Sequence, residues 1–161
     1  MSSNKTLRAG WIAAALGFVP LTSSAGPDIN TSDTFALKTS IQEVIGVREI
    51  EAGKYQSGIR KSNAALSKVS VNILRAPLLN NLCVAHIAIN DLNSAKQRCD
   101  DAVQASDNAI ARNNRAVLHC LSGNTKACAE DFTAALEQNN KSRLIEKNIR
   151  IMQQQYMVAS N

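Results

Sequence analysis

The stretch LLNNLCVAHIAINDLNSAKQRCDDAV, Leu78 to Val103, decides how this chain is read. Apolar residues recur through it at helical spacing, one turn former, Asn90, interrupts it, and two cysteines and a histidine stand among the apolar positions. Downstream, IARNNRAVLHCLSGNTKACAEDFTAAL, Ile110 to Leu136, repeats the layout about Gly123, again with one histidine and two cysteines. Upstream, EVIGVREIEAGKYQSGIRKSNAAL, Glu43 to Leu66, repeats it about Gly53. Aligned on these turns, at intervals of 37 and 33 residues, the three stretches become copies of one helix-turn-helix unit. In each copy the second helix sets a small residue, a mid-sized residue and an alanine at i, i+4 and i+7: Gly58, Ser62, Ala65; Ala95, Cys99, Ala102; Cys128, Phe132, Ala135. That spacing places all three on one face, where small side chains let two helices approach closely.

Working outward, the chain start MSSNKTLRAGWIAAALGFVPLTSSAGPD has a basic lead (Lys5, Arg8), an apolar run to Val19, then Pro20 and small residues at Ser23 and Ala25. This is the layout of a signal peptide over residues 1–25, cut after Ala25, and it implies export to the periplasm or outside the cell. The apolar run is shorter than the roughly 20 residues of a membrane span, so no stable membrane insertion is expected after cleavage. Residues 26–38 are polar and turn-rich and read as a flexible N-terminal arm. The net charge of +5 includes Lys5 and Arg8, the remaining cations are interleaved with acids, and aromatics make up only 4% of residues. Neither a basic stripe nor stacking platforms are visible, which argues against nucleic acid as a partner.

The repeats resemble the tetratricopeptide repeat (TPR) family, whose first helix carries a large residue and then L-G-x2-Y and whose second carries A-x3-F-x2-A. Ile45 and Gly46 take the L-G pair in the first copy, Tyr55 follows the Gly53 turn, and Phe132 with Ala135 match in the third. The leading tryptophan is missing, the tyrosine slot holds Glu49, His86 and His119, and the proline that commonly ends a repeat is absent. The third copy also carries Arg112 and Arg115 where apolar residues are expected, which predicts a less well packed first helix there. The resemblance implies an all-α fold, an α-solenoid of about three repeats at 39–75, 76–108 and 109–142. Residues 143–161, with Leu144, Ile145, Ile149, Met152 and Tyr156 at helical spacing, would form the C-terminal capping helix that an open-ended stack needs.

Cys83 and Cys99 lie equidistant from Asp91, and Cys120 and Cys128 equidistant from Asn124, at equivalent turns. Residues equidistant from a hairpin turn face one another, so in an oxidising compartment the leading pairing is Cys83 to Cys99 and Cys120 to Cys128, with Cys99 to Cys120 as the rival. Neither C-x-x-C nor zinc-ligand spacing occurs, so structural bridges are preferred over thiol-redox or metal chemistry. His86 and His119, 33 residues apart, would sit on equivalent helices separated by an intervening one, too far to share an ion, and are read as fillers of the hairpin seam. The acids Asp100, Asp101, Glu130 and Asp131 read as solvated surface. With no phosphate loop, H-E-x-x-H or nucleophile elbow, no catalytic residue, metal or cofactor is expected, and the chain is not read as an enzyme.

The resemblance implies a protein-binding scaffold whose inner groove is lined by Asn80, Val84, Ile87 and Ala88 of the second copy and Asn113, Val117 and Leu121 of the third. Asn80 and Asn113 are repeat-equivalent amides able to bond an extended peptide backbone, or to cap or solvate helix starts. Val84, Val117 and Glu43 leave no basic clamp for a C-terminal carboxylate, so an apolar or internal segment of a protein or peptide partner is the expected ligand. The alternatives are an envelope thiol-redox protein or other enzyme using Cys120 and Cys128, and a structural accessory of an envelope complex that binds nothing in its groove.

Overall fold

A computed structural model describes residues 34–157 of the chain. The expected signal peptide, residues 26–33 of the arm and the last four residues lie outside that range. Among the described residues there are seven α-helices, a π-helical turn at Gln153–Met157 and no strand. The helices are α1 Val47–Glu51, α2 Tyr55–Leu66, α3 Asn72–Ala88, α4 Leu92–Ala105, α5 Ala109–Leu121, α6 Thr125–Gln138 and α7 Arg143–Met152.

Three tight turns create the pairs α1/α2, α3/α4 and α5/α6. Each turns on a residue with positive φ: Gly53 at 73°, Asn90 at 58° and Gly123 at 76°. At every one, two backbone bonds close the preceding helix: Gly53 to Ile50 and Lys54 to Glu49, Asn90 to Ile87 and Asp91 to His86, Gly123 to Cys120 and Asn124 to His119. This is the Schellman closure, which needs a left-handed residue just past the helix end and so favours glycine or asparagine there. The next residue already caps the following helix in two cases, Asp91 accepting from the Ser94 N–H and Asn124 from the Ala127 N–H. Stop and start signals thus occupy adjacent residues, and the chain reverses with almost no loop.

Each pair packs along the expected small-residue stripe, with Gly58, Ser62, Ala95, Cys99, Ala102, Cys128, Phe132 and Ala135 all buried. The closest approach is in the first pair. A Cβ on Gly58 would come 2.4 Å from Cγ1 of Ile50, and one on Gly46 would come 2.3 Å from Oγ of Ser62. Pairs also join to one another, because the first helices of successive pairs touch: α1 with α3, α3 with α5 and α5 with α7. Ten of the seventeen residues of α3 are buried, including every residue from Leu78 to Ala85, because this helix is covered on several sides at once. Pro77 lies inside α3, not at its start; its missing N–H leaves unbonded the carbonyl of Ile73, itself well exposed.

Both disulfides have the leading connectivity, Cys83 to Cys99 with Cα atoms 4.8 Å apart and Cys120 to Cys128 at 5.2 Å. They staple α3 to α4 and α5 to α6. Two expectations are corrected. Arg112 and Arg115 do not loosen α5, seven of whose thirteen residues are buried. They converge on Asp131 of α6, which is buried and not solvated surface: Arg112 donates at 3.0 Å and Arg115 at 2.7 and 2.8 Å. Arg112 also grips Asp107 at 2.5 and 2.6 Å, and Arg115 reaches Asp100 at 3.3 Å, so the guanidinium pair joins α4, α5 and α6. Among the described residues no helix is long and apolar enough to cross a membrane.

Candidate binding groove

Residues 34–40, the described part of the expected arm and its continuation, lie along the face formed by α3, α5 and α7. They are held there by five asparagines, Asn80 and Asn81 of α3, Asn113 and Asn114 of α5 and Asn148 of α7, all buried. The bonding has the two-residue period of an extended chain. At Ala36 the N–H donates to Oδ1 of Asn148 and the carbonyl accepts from its Nδ2, both at 2.8 Å. At Lys38 the N–H donates to Asn114 Oδ1 at 3.0 Å and the carbonyl accepts from Asn114 Nδ2 at 2.8 Å. At Ser40 the N–H donates to Asn81 Oδ1 at 2.8 Å and the hydroxyl to the same oxygen at 2.9 Å.

Asn80 and Asn113 form a second row. Asn80 Nδ2 donates to the Lys38 carbonyl at 3.0 Å and Asn113 Nδ2 to that of Ala36 at 3.3 Å. Their oxygens accept the remaining N–H of Asn114 and of Asn148, each at 2.8 Å. The amides therefore satisfy one another as well as the arm, which is what permits five of them to be buried. One exception stands: Nδ2 of Asn81 is buried with no hydrogen-bond partner among the described residues, a cost of about 1–3 kcal/mol for an unmet donor.

The intervening arm residues supply the apolar anchors. Leu37 packs against all three groups of core residues, one centred on α2 and α3, one on α5 and α6, and one around the Cys83–Cys99 bridge. Phe35 stacks between Phe132, centroids 6.2 Å apart, and Tyr156, at 6.3 Å. Thr39 ties the far end down by donating to Glu51 at 2.6 Å. Residues 34–38, expected to be flexible, are thus extended and bonded on this face.

The expected groove residues divide accordingly. Asn80, Asn113, Val84 and Val117 lie where the arm crosses, but as a covered floor and not as an open strip; Val117 is 1% exposed and packs with Phe35 and Leu37. Ile87 belongs to the seam beside Cys83 and Cys99, also under Leu37. Ala88 is exposed and joins Val84, Ile50, Glu51 and Tyr55 around a cleft of about 400 Å3 beside the arm. Leu121 is 46% exposed at the end of α5, outside the core groups. Asn81, Asn114 and Asn148, which make the reciprocal bonds, are absent from the expected set. The doublets Asn80-Asn81 and Asn113-Asn114 at equivalent positions are the sequence signal that could have found Asn81 and Asn114; Asn148 stands in no doublet.

The two histidines sit at the ends of the first helices. His86 Nδ1 is 3.1 Å from Asp91, whose carboxyl is held below its usual range mainly by its cap bonds to Ser94. His119 Nε2 is 3.7 Å from Asp131, yet burial pushes its pKa below the ordinary value. Asp131, which also accepts from two arginines, opposes that shift without reversing it. No cluster of three or more His, Cys, Asp or Glu side chains arranged to hold a metal occurs among the described residues. No family model matches the chain, and no curated protein matches it.

Proposed function

We propose that this chain is an exported, non-enzymatic protein-interaction scaffold, a short α-solenoid of three TPR-like helix pairs capped by α7, whose inner groove holds an extended polypeptide by its main chain. The observation that carries the reading is the asparagine ladder, which bonds N–H and C=O groups of alternate residues and leaves selectivity to two apolar anchors. Such main-chain reading with side-chain pockets is a general way to bind extended segments. In this chain the groove is occupied in cis by residues 34–40, so a partner segment competes with the chain's own arm. The contacts between first helices of successive pairs support the solenoid reading, and the two disulfides suit an oxidising, exported location such as the periplasm. The bridge Cys120 to Cys128 is buried at both sulfur-bearing residues, which denies the access that thiol exchange needs and speaks against the redox alternative.

The structural-accessory reading draws support from the arm itself, since Leu37 and Phe35 complete the core and fill the groove. Photo-crosslinking separates the two. A photoreactive residue at Ala88, beside the arm, should capture a partner in the oxidising compartment, whereas one at Glu137, exposed on α6, should not. Capture from Glu137 alone would move the interface to the outer helices and favour the accessory role.

A further inference from the structure

Two rungs of the ladder are complete and the third is not. Asn148 and Asn114 each accept from the N–H and donate to the C=O of one residue, and each gives its second N–H to an amide of the preceding first helix. Asn81 stands at the same register one repeat earlier and accepts from the Ser40 N–H, but its own Nδ2 donates to nothing among the described residues. Two local causes account for this. The chain leaves the groove immediately after Ser40, entering a turn in which the Ile41 carbonyl accepts from the Val44 N–H at 3.1 Å. The preceding first helix, α1, is VREIE and offers no amide to play the part of Asn80 or Asn113. Beside this rung opens a cleft of about 460 Å3 lined by Lys38, Ser40, Ile41, Ile73, Pro77 and Ile110, with Ile41 71% and Ile73 81% exposed.

We infer that the groove is built for an extended segment of another polypeptide that runs straight past the Asn81 rung, and that residues 34–40 are a shorter, displaceable occupant of the same site. This rests on the groove reading above. A segment that stays extended places the carbonyl of its third bonded residue on Asn81 Nδ2, as the first two rungs place theirs on Asn148 and Asn114. Its chemistry follows from the anchors: an aromatic residue to stack between Phe132 and Tyr156, an aliphatic residue two positions on at the Leu37 site, then several further residues without a turn. An apolar side chain near the end of that run meets Ile73, Pro77 and Ile110, the part of the cleft wall that belongs to the helices and stays when the arm is displaced. The arm copies the first part of this pattern and stops where its connection to α1 begins.

The probes are two synthetic peptides blocked at both ends, TFALKT, which copies residues 34–39 and stops short of the Asn81 rung, and TFALKTSTV, three residues longer, which runs past it. They are titrated into the full chain carrying Phe35→Gly and Leu37→Gly, which loosen the arm without touching the ladder. The longer peptide should bind about tenfold more tightly, the scale of one well-placed buried hydrogen bond together with added apolar contact. Asn81→Leu in that background should remove most of the difference while leaving the short peptide's affinity within about twofold, because a peptide ending at the Thr39 position makes no bond to Asn81. Equal binding of the two peptides overturns the inference and leaves the groove reading standing; no binding of either by a folded chain overturns both. If the double-glycine chain does not fold, amide exchange on the wild-type chain decides. A millimolar excess of the longer peptide should speed exchange at Ala36, Lys38 and Ser40 beyond the effect of the shorter one, and identical effects overturn the inference.

Discussion

An asparagine side chain carries the donor and acceptor of a peptide unit on one planar group, so a residue of extended chain can close a two-bond ring with it much as with a neighbouring strand. Asn114 closes that ring at Lys38 and also feeds Asn80, so removing it leaves unpaired a backbone N–H and an amide oxygen. Asn114→Leu, close in volume, should therefore cost about 2–4 kcal/mol in denaturant unfolding and speed amide exchange at Lys38. A loss under about 0.5 kcal/mol would mean that water meets these groups and the ladder is not what holds the arm. Asn90 tests the turn: at φ 58° it is the one non-glycine left-handed residue described. Asn90→Gly should be neutral or slightly stabilising, while Asn90→Val should cost about 1–2 kcal/mol of thermal stability. The turns were legible because positive φ restricts the choice of residue. The ladder was legible only at Asn80 and Asn113, because a buried amide and a solvated one at a helix start look alike in sequence, and burial here is conferred by a segment 41 to 112 residues away in the chain.

At the scale of elements, each hairpin is closed by a short covalent loop, spanning 16 residues between Cys83 and Cys99 and 8 between Cys120 and Cys128. Loop-closure entropy assigns these bridges about 3 and about 2.5 kcal/mol, respectively. Replacing Cys83 and Cys99 together by alanine should lower the melting temperature by roughly 10 °C and leave circular dichroism at 20 °C near wild type, since neighbouring pairs still share the core. An unchanged melting point would remove the bridge from the account of stability. These pairings could be read from symmetry about the turns, whereas the Arg112, Arg115 and Asp131 junction could not. An arginine on an apolar face looks like a defect until the acid opposite it, 16 to 19 residues away, is brought to it by the hairpin. His119 beside this junction gives a pH test. Its folded pKa is lowered by burial first, with Asp131 opposing, so the unfolded chain binds the proton more readily. The resulting stability is present above the ordinary histidine value of 6.5 and is lost as pH falls through it towards the lower folded value. Asp107, held low chiefly by Arg112, loses its contribution only below its ordinary 3.8. His119→Gln should thus flatten the melting temperature between about pH 7 and pH 5 and leave the steeper acid limb unchanged; a slope that persists assigns the loss to other groups.

At the scale of the molecule, the helix count and order were visible in periodicity and turns, but the arm was not, because TFALKTS has no periodic signature beyond two apolar residues and only the assembled face gives it a place. That placement alters how the whole behaves. Stacked helix pairs touch mainly their neighbours, so each can open with modest penalty to the others. Residues 36–40 break this locality. They bond α3, α5 and α7 together, the contact between Ala36 and Asn148 spanning 112 residues of sequence, and Leu37 packs against all three core groups. The arm therefore acts as a strap that couples α3, α5 and α7. Leu37→Ala should cost about 2 kcal/mol, at the low end for a leucine truncation because the side chain is only partly buried. The informative result is where the loss falls. In the wild-type chain, amides of α3 and α7 should share one opening free energy; in the variant, α7, which has a neighbouring pair on one side only, should open well before α3. Protection that falls equally in both helices would show that the pairs already fold as one body and that the strap adds stability without adding cooperativity.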